Sequence, residues 1–200
     1  MSDFYRTLKA SAEGVYREKM SRFLAFAAPV ESADEARAVI KRYQNEYLDA
    51  RHVCWAYMIG AARAEYLSSD NGEPSGTAGK PILGQINSFG LTNIVIVVVR
   101  YFGGIKLGTS GLIAAYRQAA AEAIRAGQIV ELHEQGTITF TFPYLAMNDV
   151  MRMVKTASAA VVSQSFDNVC RMTLRANADD MPRLAASIAA IAGTSVLPDE

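Results

Sequence analysis

Between Asp70 and Arg117 the chain carries Lys80, Arg100, Lys106 and Arg117, and no Asp or Glu falls between Glu73 and Glu122. Cations without intervening acids, interleaved with Tyr101, Phe102 and Tyr116, suit a surface for phosphates and stacked bases. The plainer alternative is that acids distant in sequence neutralise them in the fold. An independent pointer is the glycine-rich run Gly103-Gly104-Ile105-Lys106-Leu107-Gly108-Thr109-Ser110-Gly111, which joins a strand to a helix. Such a turn sets backbone N–H groups at the positive end of the helix dipole, and Gly103, Gly104 and Gly108 let an anion approach the main chain. The spacing matches neither the dinucleotide fingerprint nor the Walker A motif, and glycines that only shape a tight turn are an equal alternative. Arg100, at the end of a buried strand, would also suit a structural ion pair with Glu73 or Asp70.

Other constellations are weaker. Asp70 and Glu73 form a possible loop site, a carboxylate pair of the kind that holds magnesium, although Asp-Asn-Gly is more simply turn chemistry. Gly76-Thr77-Ala78-Gly79-Lys80-Pro81 has part of a P-loop. Pro74 replaces its first glycine and Pro81 its metal-binding hydroxyl, which argues against nucleotide hydrolysis. His52 and Cys54 share a strand face by the two-residue period, yet Val53, Trp55 and Ala56 favour a buried, hydrogen-bonded histidine over a nucleophilic pair. Ser110 misses the nucleophile elbow by one residue. His133, between Glu131 and Glu134, reads as an exposed linker histidine. The sequence therefore assigns no catalytic residue, no cofactor and no obligate metal.

The elements that must position these residues follow from composition and periodicity. Half of the 200 residues are hydrophobic and 20% are charged, enough for a packed core, while 20 basic residues balance 20 acidic ones. The balance excludes a globally basic nucleic-acid binder but not a local patch. Cys54 and Cys170 read as free thiols of a cytoplasmic protein. The start lacks a signal-peptide pattern, and the aliphatic run Ile94 to Val99 is too short for a membrane helix, so no membrane partner is expected. Strands are expected at Ser21–Ala28, His52–Gly60 and Asn93–Tyr101, the last covered on both faces. A helix capped by Ser32 and Glu35 follows the first strand, a short helix opens at Pro81, and a longer one ends at Gly127. Beyond a polar connector at Glu131–Gln135, the order strand, helix, strand, strand, helix, strand is the ferredoxin-like arrangement, with a hairpin at Asp167-Asn168 and Asp179 or Asp180 capping the last helix. The expected domains are residues 1–133 and 134–200.

The segments Asp70 to Pro81 (DNGEPSGTAGKP), Val99 to Thr109 (VRYFGGIKLGT), Ala50 to Ala56 (ARHVCWA) and Ser21-Arg22-Phe23 resemble, in order and spacing, the signature segments of the IMPACT/YigZ family. The resemblance implies an α+β protein of two domains. The first is an α/β domain like that of RNase PH and a small-subunit ribosomal protein, and the second is ferredoxin-like, as in elongation factor G. Both relationships point to RNA or the translation apparatus by fold-level analogy. The kinase regulation exerted by eukaryotic members depends on a further N-terminal domain for which this chain has no room, and is not carried over. One departure is Ser110, where the family turn has glycine; a positive φ there would strain serine by about 1 kcal/mol.

Together these features predict a non-catalytic cytoplasmic protein that binds RNA or a ribosome-associated factor through the basic glycine-rich turn and acts in translation regulation. The alternatives are a magnesium-dependent enzyme acting on a nucleotide or RNA phosphate through Asp70 and Glu73, and a protein-interaction module working through the second domain's sheet.

Overall fold

The computed structural model describes residues 4–198. They form two compact units, one of Phe4–Leu132 and one beginning at His133.

In the first unit, strands β2 (Ala12–Glu18), β3 (Ser21–Pro29), β4 (His52–Ile59), β5 (Glu65–Ser69) and β6 (Ile94–Tyr101) make a sheet in the order β2-β3-β6-β4-β5. Every pairing is antiparallel. β6 is central, and its side chains are buried on both faces as far as Arg100. Alternation divides them: Val95, Val97 and Val99 pack with helix α1 (Ala33–Glu46), and Ile94, Ile96 and Val98 with helices α2 (Gly79–Ser88) and α3 (Gly108–Ala126). Helices on both sides explain the unbroken aliphatic run that otherwise marks parallel strands. The α1 side is closed by Phe26 stacked on Tyr43, with ring centroids 4.2 Å apart. The other side is closed by Ala115, Ala119, Ala120 and Ala123, whose small side chains bring α3 so near β2 that a Cβ on Gly14 would lie 2.4 Å from the Ala123 nitrogen.

Ser32 caps α1 as expected, accepting from the Glu35 N–H, while the Glu35 carboxylate accepts from the Glu31 N–H. The sequence reading missed β2, β5 and the two-stranded sheet of β1 (Phe4–Leu8) with β7 (Ile129–His133). The expected polar connector is accordingly corrected: β7 and β8 (Gln135–Phe142) run through it, with Glu134 alone between them.

In the second unit, β8, helix α4 (Met147–Thr156), β9 (Ala160–Phe166), β10 (Cys170–Asn177), helix α5 (Met181–Ala189) and β11 (Ser195–Val196) follow in that order, and the strands lie as β11-β8-β10-β9. Its core sets Ile138, Phe140 and Phe142 of β8 and Met172 and Leu174 of β10 against Val150, Leu184 and Ile188 of the helices. Two local expectations are corrected. The β9–β10 connection has three residues, Asp167 to Val169, and neither Asp167 nor Asn168 takes positive φ. Asp180 stands at the N-cap of α5 but makes no side-chain cap, because its carboxylate pairs with Arg183 at 2.9 Å.

Candidate functional site

The antiparallel register brings the start of β3, the start of β4, the end of β5 and the end of β6 to one end of the first sheet, where Arg22 faces Tyr101 and His52 faces Arg100. From that end emerge the Lys19-Met20 turn, the loop after Ser69 and the glycine-rich turn after Tyr101.

The loop after Ser69 is a fastening. Asp70 Oδ2 accepts from the Gly76 N–H at 2.7 Å, and Oδ1 accepts from those of Ala78 and Gly79 at 2.9 and 2.8 Å. Its carboxylate thus fills the N-terminus of α2 with the negative charge the dipole favours. Burial alone raises its pKa, but the bonds from Gly76, Gly79 and Ala78, aided by the Lys80 charge, outweigh burial and hold it below the ordinary value. Asn71 and Gly72 both take positive φ, at 39° and 82°. The Asn71 side chain donates to the Val53 carbonyl, and its own carbonyl lies 2.9 Å from His52 Nδ1. Gly79 passes so close to Ser69 that a Cβ would come within 2.8 Å of its backbone nitrogen.

Glu73 reaches into the protein. Arg100 Nη1 donates to Glu73 Oε1 at 2.6 Å, with their side chains 7% and 3% exposed, and Tyr116 Oη donates to the same oxygen at 2.9 Å. The Cys54 thiol lies 3.3 Å from Tyr116 Oη and 2.9 Å from the Asp70 carbonyl. The Arg100 guanidinium lies 5.6 and 5.7 Å from the ring centroids of Phe23 and Phe102, which favour a cation over their faces. Burial pushes the Cys54 thiol up to about 12 and the Tyr116 hydroxyl well above its usual value. The chain of contacts joins β4, the loop, β6 and α3.

Several sequence expectations are corrected by this geometry. Arg100 is not a surface phosphate contact, because its charge is buried against Glu73. Tyr116 is not a base-stacking surface, being fully buried. Asp70 and Glu73 do not converge as a metal pair: one carboxylate is taken up by three N–H groups and the other by Arg100 and Tyr116. The Cys54–His52 pair needs no correction: the sequence already favoured a hydrogen-bonded histidine, and the imidazole lies against the Asn71 carbonyl while burial pushes the Cys54 thiol pKa up.

The remaining candidates divide by geometry. Gly103 is needed for close approach, since a Cβ there would lie 2.0 Å from the Met20 carbonyl carbon. Gly104 and Gly108 take φ of 87° and 73° and face open space. Lys106 is exposed beside them, and Met20, Phe102 and Ile105 expose 80%, 57% and 51% of their surfaces. Gly108 starts α3, whose N-terminus has neither a side-chain cap nor an acid in its first turn. Ser110 sits in that turn with negative φ, so the expected strain is absent. Lys80 and Arg117, both exposed, meet across a groove of about 500 Å³ between α2 and α3 that Gln85, Ser88 and Ile113 also line. Among the described residues, Lys80, Lys106 and Arg117 form no ion pair. No helix among them is long and apolar enough to cross a membrane.

A helix-flanked antiparallel sheet with a carboxylate-fastened loop and a glycine-rich turn at one end, followed by a second mixed unit, defines a two-unit α/β protein. The Impact N-terminal domain family matches residues 19–124. The chain is 35% identical over 150 residues to an IMPACT family member of Haemophilus influenzae, covering 74% of this chain and 73% of that protein. It is 45% identical over 109 residues to IMPACT family member YigZ of Escherichia coli, covering 54% of this chain and 53%, about half, of that relative. A crystal structure described as that of a hypothetical protein superposes with a TM-score of 0.77 at 28% identity, covering 100% of this chain and 99% of that one. The chain belongs to the IMPACT family.

Proposed function

We propose that this chain is a non-catalytic cytoplasmic protein that binds RNA or a ribosome-associated partner through its basic glycine-rich turn and acts in translation regulation. One observation carries the reading: three exposed, unpaired cations, Lys80, Lys106 and Arg117, accompany the uncapped N-terminus of α3. At the neighbouring α2 the Asp70 carboxylate already occupies the N-terminal N–H groups, so α3 is the end left for an external anion. From the first turn of α3 to Arg117 the helix rises about 13 Å at ~1.5 Å per residue, so successive phosphates of one strand can meet the turn and the groove.

The translation role is what the family resemblance implies, and the strand order β11-β8-β10-β9 supports a ferredoxin-like second domain. With Asp70 and Glu73 both engaged in the fold, the mechanism is association rather than bond-making.

Three phosphate contacts at this surface give a log-log dependence of single-stranded RNA affinity on salt with slope about −2, and Lys106→Ala makes it shallower by about 0.7. Anisotropy titrations across a salt series measure both. A slope near zero, or one unchanged in the variant, contradicts the proposal.

A further inference from the structure

The second unit's sheet has one face covered by α4 and α5 and one face open. Ile138, Phe140 and Phe142 of β8 alternate with Thr137, Thr139 and Thr141, and Met172 and Leu174 of β10 alternate with Arg171, Thr173 and Arg175. The buried sets face the helices, so the threonines and arginines share the other side. Register confirms it: Thr173 lies opposite Thr139, their Oγ1 atoms 3.0 Å apart, and Arg171 lies opposite Thr141. On the far side of β10, Ser165 faces Arg171 and Ser163 faces Thr173.

The open face is therefore a field of hydroxyls around two arginines. No Asp or Glu occurs in β8, β9, β10 or β11. Among the described residues neither Arg171 nor Arg175 forms an ion pair, and both are exposed. The exposed Val161 and Phe166 of β9 lie opposite Leu174 and Cys170, on the helix side, while Val162 falls at the register shift and the small Ala160 lies opposite Arg175. Arg171 also borders a cleft of about 570 Å³ with Gln135, Thr137 and Thr139.

We infer that this open face is a second binding surface for single-stranded RNA, gripping its sugar-phosphate backbone. The inference rests on the RNA reading proposed above and extends it to residues of the other unit. Guanidinium groups four residues apart on one strand are separated by about 13 Å at ~3.4 Å per residue, so they address separate phosphates. Side-chain hydroxyls, donor and acceptor at once, match the ribose 2′-hydroxyl, which distinguishes RNA from DNA. The core takes Phe140 and Phe142, leaving the face without a stacking platform, so binding tolerates any base sequence.

The test is anisotropy of a fluorescein-labelled mixed-sequence single-stranded RNA, and of the DNA of the same sequence, with the full chain between 50 and 200 mM salt. Arg171→Thr with Arg175→Thr, exposed changes to a residue that favours strands, makes the salt slope shallower by about 1.4. Over that salt range the loss of affinity shrinks about sevenfold, while Arg171→Lys with Arg175→Lys keeps the wild-type slope. RNA binds more tightly than DNA. An unchanged slope in the threonine variant with an unchanged Tm overturns the inference and leaves the glycine-turn reading standing if Lys80, Lys106 and Arg117 variants still lose binding. Loss in the threonine variant alone supports this face and removes the turn. Equal affinity for DNA overturns the assignment to RNA, and no binding by the wild type removes both surfaces.

Discussion

Arg100 and Lys106 stand six residues apart and carry the same charge, yet one is buried in an ion pair with Glu73 and the other is exposed and forms no ion pair among the described residues. Arg100→Ala leaves the Glu73 charge buried without its partner and is expected to destabilise the protein by about 3–5 kcal/mol in urea unfolding. Arg100→Met combined with Glu73→Gln removes both charges and recovers most of that loss. Asp70 makes a pH prediction of definite sign. Its folded pKa is depressed, so its contribution is present above the unfolded value of 3.8 and is lost as pH falls through the folded value. Asp70→Ala therefore loses about 1–2 kcal/mol at pH 7, and the gap to wild type narrows in titrations well below pH 4. The acid-free stretch from Glu73 to Glu122 was legible as a charge pattern, and Glu73 and Asp70 as acids able to pair with Arg100, but only the folded loop selects between them, giving Asp70 to the α2 N–H groups and Glu73 to Arg100.

The strands and helices with strong periodicity were readable: the aliphatic β6, the capped α1, and α3 ending before Gly127. Those missed have physical reasons. Ala12–Glu18 alternates but carries charges and a glycine at positions that look like loop, and Gly14 is there so that α3 can pack against it. Glu65–Ser69 is an edge strand with little burial. Ile129–His133 is half polar and acquires its strand state by pairing with β1. The glycine turn was recognisable as a turn, but sequence alone did not distinguish its glycines. Gly103→Ala drives a Cβ into the Met20 carbonyl and is expected to lower Tm markedly, whereas Ser110→Gly, far from relieving strain, costs about 0.5 kcal/mol by weakening a helical position. Thermal unfolding of the two variants side by side distinguishes these roles.

Over the whole chain the signature segments converge on one end of one sheet and divide the work there. Asp70, Asn71, Glu73, Gly79 and Arg100 fasten the loop, while Lys106 is exposed beside Gly104 and Gly108, and Lys80 and Arg117 are exposed across the groove between α2 and α3; these three cations are the ones proposed above for a ligand. The family was legible because several of these segments serve packing, which constrains residue type tightly; the ligand was not, because three scattered cations share no motif. The most direct test is the binding of labelled single-stranded RNA to wild type and to Lys80→Ala/Lys106→Ala/Arg117→Ala, with anisotropy read at two salt concentrations and folding checked by Tm. The account predicts salt-sensitive binding by wild type and weaker, less salt-sensitive binding by a fully folded variant. Equal binding by the two proteins, or none by wild type at micromolar concentration, contradicts it.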